Sequence, residues 1–214
     1  LAGLNPAAVI CEVMNPDGTM ARSQDLHNFA KTHGLKIGTI VDLIQYRLSH
    51  ETLVEEVGHF KLEDQSGFSL KVFRSRIDGL EHLVLQKGLV EKDQATVVRV
   101  QVQAPFVDTL SILQQKTSSL QKSLDYLKNE KSGIIVLLNT ATQNNLLNQV
   151  QSAFSNHAPT KFDSRDYGIG AQILRHLGVR KLRLLSSQPE NADKYIGLKG
   201  FNLEISEIVS FNKR

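Results

Sequence analysis

The stretch Asp166-Tyr-Gly-Ile-Gly-Ala-Gln-Ile-Leu-Arg-His-Leu-Gly178-Val-Arg-Lys181-Leu-Arg-Leu-Leu-Ser186 decides the fold class. It reads as a helix to Leu177, a glycine stop at Gly178 and a short apolar strand over 181–186. Helices alternating with buried strands mark an α/β domain. Working outward, Ile134 to Leu138 reads as a buried strand and residues 144–156 as a helix. Residues 108–131 read as one long helix with Asp108 as N-cap. Leu113, Leu120, Leu124 and Leu127 lie along one face, and Ser132-Gly133 ends it. In Thr96 to Val102, Val98, Val100 and Val102 alternate with Arg99 and Gln101, the pattern of a half-buried strand. Phe60 to Leu62, Gly67 to Arg74, His82 to Gln86 and Leu203 to Val209 read as further strands. From residue 59 onward the chain is an α/β domain of about 155 residues, an ordinary domain size.

The front of the chain has another texture. Ala7 to Val13 reads as a buried strand, and Asn15-Pro16-Asp17-Gly18 is a strong turn signal. A helix is expected from Ser23, with Leu26, Phe29, Ala30 and His33 at helical spacing and Gly34 as its stop. Lys36 to Ile40 is expected to be a short strand. Thr39-x-x-Asp42 resembles a capping box for a helix over 41–47. The expected division is a first piece over 1–50, a polar linker over 51–58 and the second domain over 59–214. Leu1 opens without an initiator Met or a polar lead-in, which suggests a chain cut from a larger protein.

Composition excludes several classes. The 214 residues carry 25 basic and 22 acidic groups, a net charge of +3, too little to argue for a nucleic-acid partner. Hydrophobic residues at 41% suffice for a core, and no apolar run approaches a membrane span. Cys11 is the one cysteine, so neither an internal disulfide nor a zinc site of two to four thiolates can form. A reduced, cytoplasmic setting is expected. The seven histidines show no i, i+4 metal pair. Arg175, His176, Arg180, Lys181 and Arg183 form a basic cluster that reads as a solvated face.

Two stretches carry a resemblance. Asn5-Pro-Ala-Ala-Val-Ile-Cys-Glu-Val-Met-Asn-Pro-Asp-Gly-Thr-Met-Ala-Arg22, with Phe29-Ala-Lys-Thr-His-Gly-Leu-Lys36 and Thr39-Ile-Val-Asp-Leu-Ile-Gln-Tyr-Arg47, resembles the C-terminal end of 3,4-dihydroxy-2-butanone 4-phosphate synthase. Arg165-Asp-Tyr-Gly-Ile-Gly-Ala-Gln-Ile-Leu174, continuing through Leu177 to Leu185 and Gly197 to Ile205, resembles the C-terminal half of GTP cyclohydrolase II. Gly67-Phe68, Glu81-His82 and Val97-Val98-Arg99-Val100 fit the same family. The two families occur fused in this order in riboflavin biosynthesis. The implied fold is a GTP cyclohydrolase II-like α/β domain preceded by the C-terminal βαβα piece of a synthase domain.

The resemblance also implies which chemistry is present. The synthase uses magnesium, held by segments that do not occur here; its family carboxylate maps to Glu12, which would be a stranded half-site. Read without the family, Glu12 is a salt-bridged or solvent-facing residue. GTP cyclohydrolase II uses a zinc ion on three cysteines to open the guanine ring. Ala104 stands where the first cysteine belongs, and the other two fall among Gln114 to Thr117. A nucleotide-contacting Gln-Glu-Gly-Arg loop is replaced around Ala141-Thr142-Gln143-Asn144, and a catalytic Tyr by Ala153. The family's base and phosphate-attacking groups map to Asp163 and Arg165, and its phosphate-end pair to Ser186 and Lys194. Read locally, Asp163 and Asp166 fit helix capping, and Arg165 fits pairing with one of them.

The resulting expectation is a riboflavin-pathway protein whose second domain lacks zinc and does not catalyse. That domain would stabilise, dimerise or regulate the synthase half. It would hold GTP or another phosphate ligand weakly through Arg165, Ser186 and Lys194. No cofactor is expected in this chain, a homodimer is expected, and no nucleic-acid or membrane partner. The rival expectation is metal-independent GTP-type chemistry through Asp163 and Arg165. A third is a pure interaction module for another pathway enzyme.

Overall fold

The computed structural model describes residues 3–62, 67–91, 93–140, 164–187 and 201–211. The expected helix over 144–156, together with Ala153, Asp163 and Lys194, lies outside them. The chain divides into two compact units, Leu1–Ile44 and Gln45–Arg214. Among the described residues no helix is long and apolar enough to cross a membrane.

The first unit is held together by local signals. Gly18 sits at φ +85° in the expected turn, and an isolated antiparallel bridge joins Met14 to Met20 across it. Asp17 Oδ1 accepts from the Thr19 N–H at 3.0 Å and its hydroxyl at 2.7 Å. These bonds hold the Asp17 carboxyl below its ordinary pKa. Helix α1 (Ser23–Thr32) begins where expected, and Asp25 Oδ2 accepts from the Arg22 N–H at 2.9 Å, closing its first turn. Gly34, at φ +62°, follows its end. Helix α2 (Ile40–His50) starts on the expected box: Asp42 N–H donates to Thr39 Oγ1 at 3.0 Å, and Thr39 Oγ1–H to Asp42 Oδ2 at 2.7 Å. The expected strands over 7–13 and 36–40 do not form. Val9 is 99% and Ile10 91% exposed. A strand needs a ladder partner, and among the described residues these segments have one such bond, from the Ala21 N–H to the Val13 carbonyl at 3.0 Å.

The second unit is built on one mixed sheet. Its strands are β1 (Val54–Lys61), β2 (Phe68–Ser75), β3 (Glu81–Lys87), β4 (Thr96–Val102), β5 (Gly133–Leu138), β6 (Lys181–Ser186) and β7 (Glu204–Ser210). Their spatial order is β1-β2-β3-β5-β4-β6-β7. The first four in that order pair antiparallel, and β5, β4, β6 and β7 pair parallel. Every residue of β5 is buried, as suits a central strand covered on both faces. Residues 54–58, expected within a linker, instead open β1. It is an edge strand with mostly exposed side chains, so its Glu55-Glu56 and Gly58 read as loop although they pair with β2.

Helices cover both faces. The expected single helix over 108–131 is two: α3 (Pro105–Leu113) and α4 (Ser119–Lys128). Gln115 turns the chain at φ +53°, and Ser118 caps α4 by accepting from the Gln121 N–H at 3.2 Å. Asp108 therefore lies in the first turn of α3 rather than capping it. Leu127 of α4 is fully buried against Phe68, Val97, Ile135, Leu137 and Leu185 on one sheet face. Helix α5 (Ser164–His176) packs on the other face, where Gly170 lets its backbone approach Val100 and Leu138. Gly178 stops the chain at φ +87° as expected.

Candidate functional site

Parallel strands set the location. The chain leaves β4 through α3 and α4 to reach β5 on one side, while β6 flanks β4 on its other side. Helices α4 and α5 lie on opposite faces, which makes the carboxyl ends of β4, β5 and β6 the switch point of this sheet. Open α/β sheets bind ligands at such a switch point. Here it is bounded by Val102 to Ala104, Leu138 to Thr140 and Ser186.

A polar framework fixes this edge. Gln103 N–H donates to the Leu138 carbonyl at 2.7 Å, prolonging the β4–β5 ladder. Asn139 N–H donates to Nδ1 of the buried His82 at 3.2 Å, which assigns His82 its acceptor nitrogen and ties β3 to the end of β5. Arg99 and Gln101, two apart on β4, share one face. Arg99 donates to Gln101 Oε1 at 3.2 Å, the Leu185 carbonyl at 3.1 Å and Ser119 Oγ at 3.2 Å. Its guanidinium also lies 5.2 Å from the centre of the Phe211 ring. The alternation of β4 places Arg99 and Gln101 on one face; that α4 would supply Ser119 was hidden by the unread break at Gln115.

The residues expected to act fall as follows. Ser186 ends β6 at this edge, is 2% exposed and lies in register with Ser210. Arg165 lies in the first turn of α5. Asp163 and Lys194 are outside the described residues. Glu12 is an exposed residue of the first unit, so the sites built on Glu12 and on Ser186 belong to separate units.

A zinc ion does not fit the positions that the resemblance assigns to its ligands. Ala104 is the N-cap of α3, Gln114 its C-cap, and Gln115 to Thr117 form the turn into α4. None offers a thiolate, imidazole or carboxylate. The single thiol, Cys11, is exposed in the first unit. Among the described residues no three His, Cys, Asp or Glu side chains gather as a metal site. Among the described residues Glu12 belongs to no such group either.

A GTP cyclohydrolase II family model matches residues 55–210, and a 3,4-dihydroxy-2-butanone 4-phosphate synthase model matches residues 1–46. A 3,4-dihydroxy-2-butanone 4-phosphate synthase of Neisseria meningitidis serogroup B is 42% identical over 95% of this chain and 55% of its own length. The riboflavin biosynthesis protein RibBA of Aquifex aeolicus is 40% identical over 98% of this chain and 54% of its own. The crystal structure of RibBX, a two-domain 3,4-dihydroxy-2-butanone 4-phosphate synthase from A. baumannii, matches with a TM-score of 0.59 at 34% identity. That match covers 97% of this chain and 55% of that one. The chain spans about half the length of the curated relatives it matches.

Proposed function

The chain belongs to the GTP cyclohydrolase II family, whose model covers most of it, and from that premise we propose a role in riboflavin biosynthesis without cyclohydrolase catalysis. In this reading it is part of a fused synthase protein of the cytoplasm. Residues 1–50 complete a synthase domain, with Glu12 as that domain's carboxylate. The later domain stabilises or regulates the synthase and supports a homodimer. The observation that carries the reading is the donor set. Ala104 and Gln114 to Thr117 stand where the resemblance puts three thiolates, so no zinc-bound water is available to attack a guanine ring.

The edge of the sheet then serves as a binding site. Buried Ser186 supplies a hydroxyl at the end of β6. Arg165, in the first turn of α5, is the cation that the resemblance assigns to the phosphate. With Lys194 these groups suit the phosphate end of GTP. Calorimetric titration of the purified chain with GTP, with metal content measured on the same sample, tests this. The expected result is GTP binding without zinc, lost in Arg165→Ala, and no turnover. GTP hydrolysis by pure protein, abolished by Arg165→Ala, would overturn it. That outcome would favour metal-independent chemistry through Asp163 and Arg165.

A further inference from the structure

The other end of β6 carries a second concentration of cations. Strand β6 runs from Lys181 to Ser186, so about 17–20 Å of strand separates the two ends. At the Lys181 end, the last turn of α5, Arg180 and the segment leading into β1 enclose a cleft of about 200 Å³. Glu51, Thr52, Gln172, Arg175, His176 and Arg180 are among the residues that line it, all within the second unit. The basic run read from sequence as one solvated face is therefore split. Arg183 leaves the cleft group to pair with Glu207 at 3.0 Å and Glu130 at 3.5 Å.

The walls are fixed. Gln172 ties α5 to the backbone on both sides of Thr52 through Glu51 and Leu53. The His50 ring donates from Nδ1 to the Tyr46 carbonyl at 2.9 Å and stacks on the Tyr46 ring. His176 packs edge-on against Phe73.

Nearby negative charge is already answered. Glu51 is held by Arg47 through bonds of 3.0, 3.2 and 3.0 Å. Glu56, 4.0 Å from His176 Nε2, is paired with Lys71 at 3.3 Å. The carbonyls at the end of α5 would repel an anion, but those of Ile173, Leu174 and Arg175 are taken. Val179 N–H bonds the Leu174 carbonyl and Gly178 N–H the Arg175 carbonyl, both at 3.0 Å, in a Schellman turn. Exposed Arg180 has no acidic partner among the described residues, and its guanidinium donates to its neighbour's Val179 carbonyl at 3.2 Å.

We propose that this cleft binds a phosphate group, as free phosphate or as a small phosphomonoester. The Arg175 and Arg180 guanidiniums, the His176 ring and the Thr52 hydroxyl offer the donors a tetrahedral oxyanion needs. The volume falls below the roughly 300 Å³ at which drug-sized ligand sites begin, which suits a phosphate with a short carbon chain and not a nucleotide. The site is separate from the Ser186 edge.

Titration of the 214-residue chain with inorganic phosphate and with glycerol 3-phosphate, at ionic strength held constant with sodium chloride, tests it. Saturable binding is expected, weakened about tenfold or more by Arg180→Ala and by Arg175→Ala. GTP binding and its loss in Arg165→Ala are read separately, which distinguishes failure here from failure of the GTP reading. Thermal melts confirm that the variants fold, and Arg180→Lys, keeping charge without the planar fork, gives an intermediate loss. Tighter binding of glycerol 3-phosphate identifies a phosphomonoester site; equal binding identifies a free-phosphate site. No saturation with either probe, or saturation that both arginine variants leave intact, overturns the proposal. So does a preference for an acidic peptide over both probes.

Discussion

Gln172 Oε1 accepts the N–H of Leu53 at 2.7 Å, joining residues 119 positions apart in a buried bond. Gln172 Nε2 donates to the Glu51 carbonyl at 3.0 Å. One side chain thus satisfies two backbone groups just before β1 and fixes where that edge strand begins against α5. Leucine at position 172 keeps the bulk and removes both partners. Each stranded buried group costs about 1–3 kcal/mol, so Gln172→Leu is expected to lower unfolding stability by about 2–6 kcal/mol. Urea denaturation measures this, and a loss under about 0.5 kcal/mol would show that water replaces both bonds.

Gly88 and Gly79 both sit at positive φ, +64° and +73°, after and before β3. Only one of them is also crowded. A Cβ on Gly88 would collide with the Lys131 carbonyl oxygen and stand 3.3 Å from Ser132 Cα, whereas one on Gly79 meets open space. Gly79→Ala is expected to cost about 1–2 kcal/mol for the left-handed backbone alone. Gly88→Ala adds the cost of parting two backbone segments, about 1–3 kcal/mol more. Chemical denaturation of the pair decides: equal losses would mean that the Lys131 turn yields freely.

Arg99 reaches from β4 to the Leu185 carbonyl of β6 and to Ser119 of α4. Arg99→Leu leaves the Leu185 carbonyl short of a donor and Gln101 Oε1 with that of Ser119 at 3.3 Å, at an expected cost of about 1–3 kcal/mol. Arg99→Lys recovers less than half of it, because one ammonium cannot span both carbonyl and hydroxyl while lying against Phe211. Full rescue by lysine in thermal melts would show that charge alone matters at this position.

The sequence made some of this legible. Thr96 to Val102 alternates, and the structure has β4 at those same residues. Gly178 and Thr39 act through bonds to near neighbours, so their roles could be read locally. The break between α3 and α4 could not, because Gln114 to Thr117 contains neither Gly nor Pro and Gln115 adopts φ +53° unannounced. Val9 and Ile10 look like strand residues, but a strand is a property of a pair. Ser186 was placed at a strand end by the chain's own pattern, while the cleft around Arg180 needed the fold to bring residue 50 beside residue 176.

Arg47 donates from Nε and Nη2 to both carboxylate oxygens of Glu51. These hydrogen bonds hold the Glu51 carboxyl below its ordinary pKa against a smaller opposing effect of burial. A carboxyl lowered by folding supports the folded state above its unfolded value and loses that support as pH falls through its folded value. Arg47→Met is therefore expected to move the Glu51 midpoint upward, toward the ordinary glutamate range, in a carbon-13 NMR titration of the side-chain carboxyls. The melting temperature changes little, since both side chains face solvent. The larger consequence falls on the cleft, where Glu51 at neutral pH becomes an unanswered negative charge beside the bound phosphate. Phosphate affinity should drop severalfold in Arg47→Met and return in the double variant Arg47→Met with Glu51→Gln. An unmoved midpoint together with unchanged affinity would show that Arg47 does not govern this carboxylate in solution.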